Sequence, residues 1–214
     1  MFSLTDIECA LFEQLYWFDN YIVIEMITKV VIEVRQIKRI LDKINNDGPG
    51  RGHPSYVLGS LKEKYQDNKD IVLACVRHYG PSLKNASKRL QADRQIVKEA
   101  LIWYGCSLEY ASKELRADKQ IVMMAVRRHG GALKYASPEL RGDQDIVLVA
   151  VQDNGYALRY ASNELRANRQ IVMYAVKQVG QALQYASQEL QGDQEIILEA
   201  EWSIKERYIR IDDY

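Results

Sequence analysis

The 214-residue sequence has few cysteines, few prolines and no net charge. Its cysteines, Cys9, Cys75 and Cys106, are odd in number and far apart, which argues against a disulfide scaffold and favours a reducing compartment. Because 29 basic side chains balance 29 acidic ones, the whole chain is neither a basic nor an acidic binder. Apolar residues make up 47% of it, so we expect a folded, soluble protein rather than a disordered one.

The sequence also lacks a long uncharged apolar run and a basic leader. Its most hydrophobic stretch, Tyr21 to Ile44, is interrupted by charged side chains such as Glu25 and Lys29. A membrane-spanning helix needs about 20 consecutive apolar residues. The first 20 residues contain four acidic side chains and no Lys or Arg, the reverse of a signal peptide. We therefore expect a cytoplasmic protein without a membrane segment.

The sequence is rich in internal repetition, with a period of 25 residues. Isoleucine marks position 1 of each unit, at Ile71, Ile96, Ile121, Ile146, Ile171 and Ile196. In five full units, glycine occupies position 10, leucine positions 13 and 20, and Ala-Ser positions 16 and 17. A repeat this short predicts an array of small, similar structural units.

Each unit is predicted to fold as two short helices. The apolar residues at positions 1, 2, 5 and 6 form one stripe of a first helix. Asp or Asn three residues before each isoleucine is a predicted N-cap, and the glycine at position 10 is predicted to end the helix in the left-handed conformation. Leucine, alanine and leucine at positions 13, 16 and 20 predict a second helix. Helices shorter than about 12 residues are unstable alone, so we expect the pairs to stack as an all-α protein, an α-solenoid.

The array is predicted to occupy residues 55–214. It comprises a degenerate half-repeat 55–69, five repeats 70–194 and a polar-backed capping helix 195–214. Residues 1–47 differ, because the amphipathic segment Thr5 to Phe18 and the heptad stripe from Val23 to Ile44 predict an N-terminal helical hairpin. The same stripe fits a coiled coil, so a homodimer through Val23–Ile44 stays an alternative. The Gly- and Pro-rich stretch 48–54 is a predicted linker.

The repeat motif has a recognisable counterpart. Residues 132–143, ALKYASPELRGD, followed by Ile146-Val147, resemble the short helical repeat catalogued as domain of unknown function 4116, here in five tandem copies. The resemblance implies a helical array of a kind found in microbial eukaryotes and intracellular bacteria, where some members are secreted effectors. Delivery to a host cytosol is therefore an alternative location. The resemblance implies no catalytic activity, ligand or site residue.

The usual signs of catalysis or metal binding are missing from the sequence. His53, His78 and His129 lack metal-ligand spacing, and no Cys-x-x-Cys pair or phosphate-binding glycine loop occurs. Cys75 replaces a core alanine and is expected to be buried, while no base is placed beside Cys106. The repeated serine and the tyrosine at position 15 are interpreted as capping and packing residues. We expect no enzyme, no metal and no cofactor.

The variable positions of the first helix, 4, 7 and 8, are predicted to face solvent, whereas His129 at position 9 is expected to be half-buried. Ile102 and Trp103 occupy positions 7 and 8, which are polar or charged in every other full unit. They either pack beneath the N-terminal hairpin or anchor a protein partner, since exposed Trp beside Arg is typical of interaction hot spots. The predicted partner-binding residues are Arg77, His78, Ile102, Trp103, Arg127 and Arg128.

Charge is unevenly distributed along the chain. Residues 62–134 contain 15 Lys and Arg against 8 Asp and Glu, a net charge of +7, whereas residues 1–61 carry −2 and residues 135–214 carry −5. Such a block could bind nucleic acid by neutralising phosphates. Acidic residues interrupt it, however, so the favoured prediction is a non-enzymatic protein-interaction or scaffold module that uses the first-helix face, with nucleic-acid binding by residues 62–134 as the alternative.

Overall fold

A computed structural model of the chain describes residues 21–46 and 58–212. The chain divides into two compact domains, 1–48 and 49–214. In the first domain, helix α1 runs Tyr21–Asn46 and exposes Val30 and Val34 of the heptad stripe. Pairing of this stripe with a second copy stays a prediction. The first segment of the predicted hairpin and the linker 48–54 lie outside the described residues.

The second domain contains a row of similar α-helices, and no strand occurs in the described part of the chain. The helices are α2 (Lys69–His78), α3 (Arg94–Leu101), α4 (Lys119–Arg128), α5 (Gln144–Asp153), α6 (Arg169–Gln178) and α7 (Gln194–Asp212). Each one packs on the next, and positions 1, 2, 5 and 6 of the first five are buried. The predicted all-α solenoid is confirmed.

The predicted N-caps are confirmed and also link neighbouring units. The side chains of Asn68, Asp93, Asp118, Asp143 and Asn168 accept hydrogen bonds from backbone N–H groups in the first turns of α2 to α6. In addition, the basic residue that begins one helix pairs with the acidic cap of the next. These ion pairs are Lys69–Asp93, Arg94–Asp118, Lys119–Asp143 and Arg169–Asp193. Between α5 and α6 both partners are neutral, Gln144 and Asn168.

Substitutions at Asp118 should separate the two roles. Asp118→Asn keeps a capping oxygen, as Asn168 shows, but loses the ion pair with Arg94, at a cost of up to about 1 kcal/mol. Asp118→Ala also loses the cap, which costs about 1 kcal/mol more. The hydrogen bond from Arg94 lowers the pKa of Asp118, so its contribution is present at neutral pH and declines as the pH falls below about 4. Urea denaturation at pH 7 and pH 3 measures the free energy of unfolding of both variants. Equal losses of stability in Asp118→Asn and Asp118→Ala would contradict the capping role.

The second half of each unit differs from the predicted helix. It consists of two separate turns joined by an extended Ala-Ser pair. The first turns are 3₁₀ segments, Gly80–Asn85, Gly105–Tyr110, Gly130–Tyr135, Gly155–Tyr160 and Gly180–Tyr185. The second are one-turn α-helices, Lys88–Gln91, Lys113–Arg116, Asn163–Arg166 and Gln188–Gln191, with a 3₁₀ turn Leu140–Gly142 after Pro138. The chain extends there because serine favours an N-cap over a helix interior.

The repeated serine has the expected capping role and a further one. In all five units its hydroxyl accepts a hydrogen bond from the N–H of the leucine three residues later. Its own N–H donates to a carbonyl of the preceding unit, as from Ser137 to Arg116 at 2.9 Å. This backbone bond recurs at every junction from Ser87 to Ser187 and fixes the register of one unit on the next.

The glycines at position 10 serve a different purpose from the predicted one. None adopts the left-handed conformation, and α2, α4, α5 and α6 instead end where an extended residue precedes the glycine, as at His129. A Cβ added to Gly130 would lie well under 3.0 Å from the carbonyl oxygen of Ala150 in the next unit. The same close approach occurs at Gly80, Gly105, Gly155 and Gly180. Glycine is therefore required because the units stack closely.

The two ends of the array depart from the pattern. At the start, Leu58 and Tyr65 fill positions 13 and 20 and are buried, while residues 55–57 of the predicted half-repeat lie outside the described part. At the end, Lys205 stands in place of the glycine and α7 continues through it. Leu198 and Trp202 on α7 are 59% and 58% exposed, so the expected polar-backed cap is wrong: its outer face is partly apolar.

Candidate partner-binding surface

The five full 25-residue units are numbered 1 to 5 from Ile71 to Ile171, the residues at which they begin. The row of α-helices presents positions 7 and 8 to solvent in units 1, 3, 4 and 5. Position 4, which was expected to be among the most exposed, is half-buried in units 1 to 4 of the five full units. The reason is contact between neighbouring helices, since position 4 of one unit faces position 7 of the unit before it, as Glu99 faces Arg77. The exposed face of the array is therefore narrower than the helical wheel predicts.

Among the array side chains whose burial the structure describes, Trp103 is the most exposed large apolar one, with 72% of its surface accessible. Its position, 8, is exposed in every full unit. Here α3 ends at Leu101, two residues earlier than the corresponding helices, and Ile102-Trp103 form a turn. Ile102 is half-buried and its N–H donates to the Glu99 carbonyl at 3.3 Å. Packing of Ile102 and Trp103 beneath the predicted hairpin stays an alternative prediction.

Arg128 joins Trp103 from the following unit. Its guanidinium lies 5.8 Å from the centre of the indole ring, within the range of a cation–π interaction. Both residues occupy position 8, so the one-unit step of the array brings them together. An exposed indole held by an arginine has the chemistry of a binding hot spot.

Arg77 and His78 lie apart from this pair. Arg77 forms an ion pair with Glu99 across the first junction, at 3.3 Å, so its charge is partly neutralised within the array. His78 is exposed at the end of α2. The structure thus brings Trp103 and Arg128 together, and gives Arg77 a partner in the scaffold.

Arg127 and Arg128 border a shallow depression of about 600 Å³ whose other walls include Met123 and Met124. Position 3, where Met123 lies, was assigned neither to the buried stripe nor to the variable surface positions, so Met123 was missed as a surface residue. A second depression lies at equivalent positions in unit 5, lined by Met173, Tyr174 and Lys177 among others. Methionine adapts its shape to different partners, so both depressions suit apolar side chains beside acidic ones. The sequence signal for these depressions is methionine at position 3 of units 3 and 5, where unit 4 carries leucine.

The other titratable candidates have structural surroundings. Cys75 is buried, and desolvation raises its pKa to about 12. Cys106 is half-buried, and desolvation again raises its pKa. His129 is exposed rather than half-buried, and its Nδ1 accepts from the Gly131 N–H at 3.1 Å, which caps the 3₁₀ segment. Within the described residues, no group of three or more His, Cys, Asp or Glu side chains is placed to hold a metal ion.

These observations define a helical-repeat protein, in which a regular scaffold carries variable side chains on its surface. The chain belongs to the family whose model is described as Domain of unknown function (DUF4116), which matches residues 68–116, 118–166 and 168–201. The first two matches each span two 25-residue units, so the family's domain corresponds to a pair of units. Searches of curated proteins and of solved structures gave no match. None of the described helices has the length and apolar character needed to cross a membrane.

Proposed function

We propose that the chain is a protein-interaction or scaffold module that binds a partner through the exposed face of its α-helix row in units 1–3. The observation that carries this proposal is the 72% exposure of Trp103 with Arg128 against its ring. Tryptophan and arginine are the residues most enriched at energetic hot spots. The adjoining methionine-lined depression supplies apolar surface for the rest of the partner.

The scaffold supports this role because it separates stability from recognition. Buried positions 1, 2, 5 and 6 keep the same apolar character from unit to unit, whereas positions 7 and 8 vary in size and charge. Units that contact only their neighbours tolerate such variation at the surface. The face can therefore be specific for one partner without altering the core.

The test compares two exposed tryptophans. Trp103→Ala should weaken partner binding about 30-fold or more, the effect of losing a hot spot of about 2 kcal/mol. Trp202→Ala removes a tryptophan of similar exposure from α7, outside units 1–3, and should leave binding intact. The measurement is quantitative comparison of proteins captured from native lysate by the full chain and both variants, followed by titration of the captured protein. Binding retained by Trp103→Ala would refute the proposal.

A folding control accompanies this test. Because Trp103 is largely exposed, Trp103→Ala should change the free energy of unfolding by no more than about 0.5 kcal/mol. Loss of the folded state, detected by circular dichroism, would instead identify Trp103 as a packing residue and overturn the anchor role.

We propose further that this role is non-enzymatic and cytoplasmic.

The nucleic-acid alternative has less support, because several cations of the block 62–134 pair with carboxylates of the array. These are Lys69, Arg77, Arg89, Arg94 and Lys119. Fewer cations are then left to neutralise phosphates than the 15 basic residues that the block contains. Nucleic-acid binding stays a prediction.

A further inference from the structure

A second surface of the array, on the row of 3₁₀ segments, has the form of a binding groove. It has a volume of about 630 Å³ and crosses units 2–5. Its lining residues come from positions 9, 11, 14 and 15 of successive units. A cleft of this size can take a small molecule or a few residues of a peptide.

The 3₁₀ geometry produces the groove. Residues three apart eclipse each other in a 3₁₀ helix, so positions 11 and 14 of each segment lie in one line. Gly131 at position 11 has no side chain and leaves room between Cys106 and Tyr156, its counterparts in the units before and after. Tyr156 packs edge to face on Tyr185, with ring centres 6.4 Å apart, and so joins units 4 and 5 in one wall.

The groove contains two cations and no carboxylate among its lining residues. The Lys134 ammonium lies 5.3 Å from the ring centre of Tyr135, and the Arg159 guanidinium lies 4.4 Å from that of Tyr160. Across the described part of the chain, neither cation has an acidic side chain within 4.0 Å. In contrast, the basic residues that begin α2, α3, α4 and α6 all have one. The groove therefore retains positive charge that a bound group could neutralise.

The other polar groups of the groove are mainly hydrogen-bond donors. His129 Nδ1 already accepts from the Gly131 N–H, so the neutral ring carries its proton on Nε2. Desolvation, with the charge of the nearby Glu109 carboxylate and a hydrogen bond to it, raises the pKa of Tyr135 to about 12, so this hydroxyl stays protonated and donates to Glu109. Arg159 also donates to the hydroxyl of Tyr160. Cations and donors in this arrangement suit anionic oxygens, which carboxylates and phosphates supply.

We propose that this groove binds a short acidic peptide segment, whose side-chain carboxylates contact Lys134 and Arg159. A peptide is favoured over a polynucleotide for two reasons. Two cations neutralise few phosphates, and Glu109 at position 14 of unit 2 places negative charge at one end of the same row. The groove lies on a different row of secondary structure from Trp103, so this proposal is independent of the partner proposed above.

The test uses the full chain and a fluorescein-labelled dodecapeptide of alternating Glu and Ser, followed by fluorescence anisotropy at low ionic strength. Lys134→Gln combined with Arg159→Gln should weaken binding at least about tenfold. The matched control, Lys98→Gln combined with Lys205→Gln, removes the same charge from exposed positions on α3 and α7. It should change the dissociation constant by less than about twofold, since distant exposed charges are screened. All four substituted residues are exposed, so both variants should keep the melting temperature of the wild type.

Several results would overturn the proposal. Equal weakening in both double variants would show general charge attraction rather than a site. Absence of binding of the Glu-Ser peptide at concentrations up to about 1 mM would show that the groove does not bind acidic peptides. Equal binding of a Gln-Ser peptide would show that carboxylates are not recognised. Tighter binding of labelled oligothymidine that the groove variant abolishes would identify a nucleic-acid site instead.

Discussion

Gly130→Ala is expected to lower the free energy of unfolding by about 3 kcal/mol or more, at or above the upper end of what overpacking usually costs. The added Cβ would meet the carbonyl oxygen of Ala150, which belongs to the backbone of α5 and cannot rotate away. Relief of this clash requires the two units to move apart. That movement would also stretch the 2.7 Å hydrogen bond from the Gly130 N–H to Asp153. Urea denaturation followed by circular dichroism measures the loss.

The chain offers a matched glycine as the control. At Gly142 an added Cβ would have only ordinary contacts, the nearest at 3.6 Å from the hydroxyl of Ser162. Three other units carry alanine at this position. Gly142→Ala should therefore stabilise the protein by about 0.4 to 1 kcal/mol, because alanine restricts the unfolded chain. A Gly130→Ala variant as stable as Gly142→Ala would contradict the close packing of units 3 and 4.

The second large effect is expected at Leu133, at position 13 of the third unit. Its side chain is fully buried, so Leu133→Ala should cost about 2 to 5 kcal/mol, the range for a leucine cavity in a core. Leu183 is the same residue at the same position in unit 5, but it is only half-buried. Leu183→Ala should cost about 1 kcal/mol, since less apolar surface returns to water.

Chemical denaturation of the two leucine variants gives a comparison in which residue type and repeat position are identical. Each unit is stabilised mainly by its neighbours, so the difference reports how completely each segment is covered. Equal losses at Leu133 and Leu183 would mean that the outer segments are packed as well as the central ones.

Local signals in the sequence were sufficient for most of the scaffold. The period of 25, the buried positions of the first helix and the capping oxygens of Asp118 and Ser137 all follow from the spacing of a few residue types. Each of these features depends on interactions within one unit. They could therefore be predicted before any contact between units was known.

Features that depend on neighbouring units were predicted less well. The role of Gly130 was assigned from helix-end chemistry, whereas the actual constraint is a carbonyl in the following unit. Apolar residues at positions 13, 16 and 20 fit an α-helical period, yet the extended Ala136-Ser137 pair divides this stretch into two turns. The contact between Trp103 and Arg128 was predictable in principle, because equivalent positions of adjacent units lie side by side. The methionine-lined depression was missed because position 3, where Met123 lies, was given no role in the helix pattern.

The neutral pair at the α5–α6 junction gives the array one acid-resistant boundary. At the other four junctions an aspartate cap with a lowered pKa holds a basic partner, and this attraction is lost once the carboxylate takes up a proton. Gln144 and Asn168 carry no charge to lose. As the pH falls below about 4 these four junctions weaken, whereas the junction between α5 and α6 has no such ion pair to lose, so units 4 and 5 form the pair whose association changes least with pH.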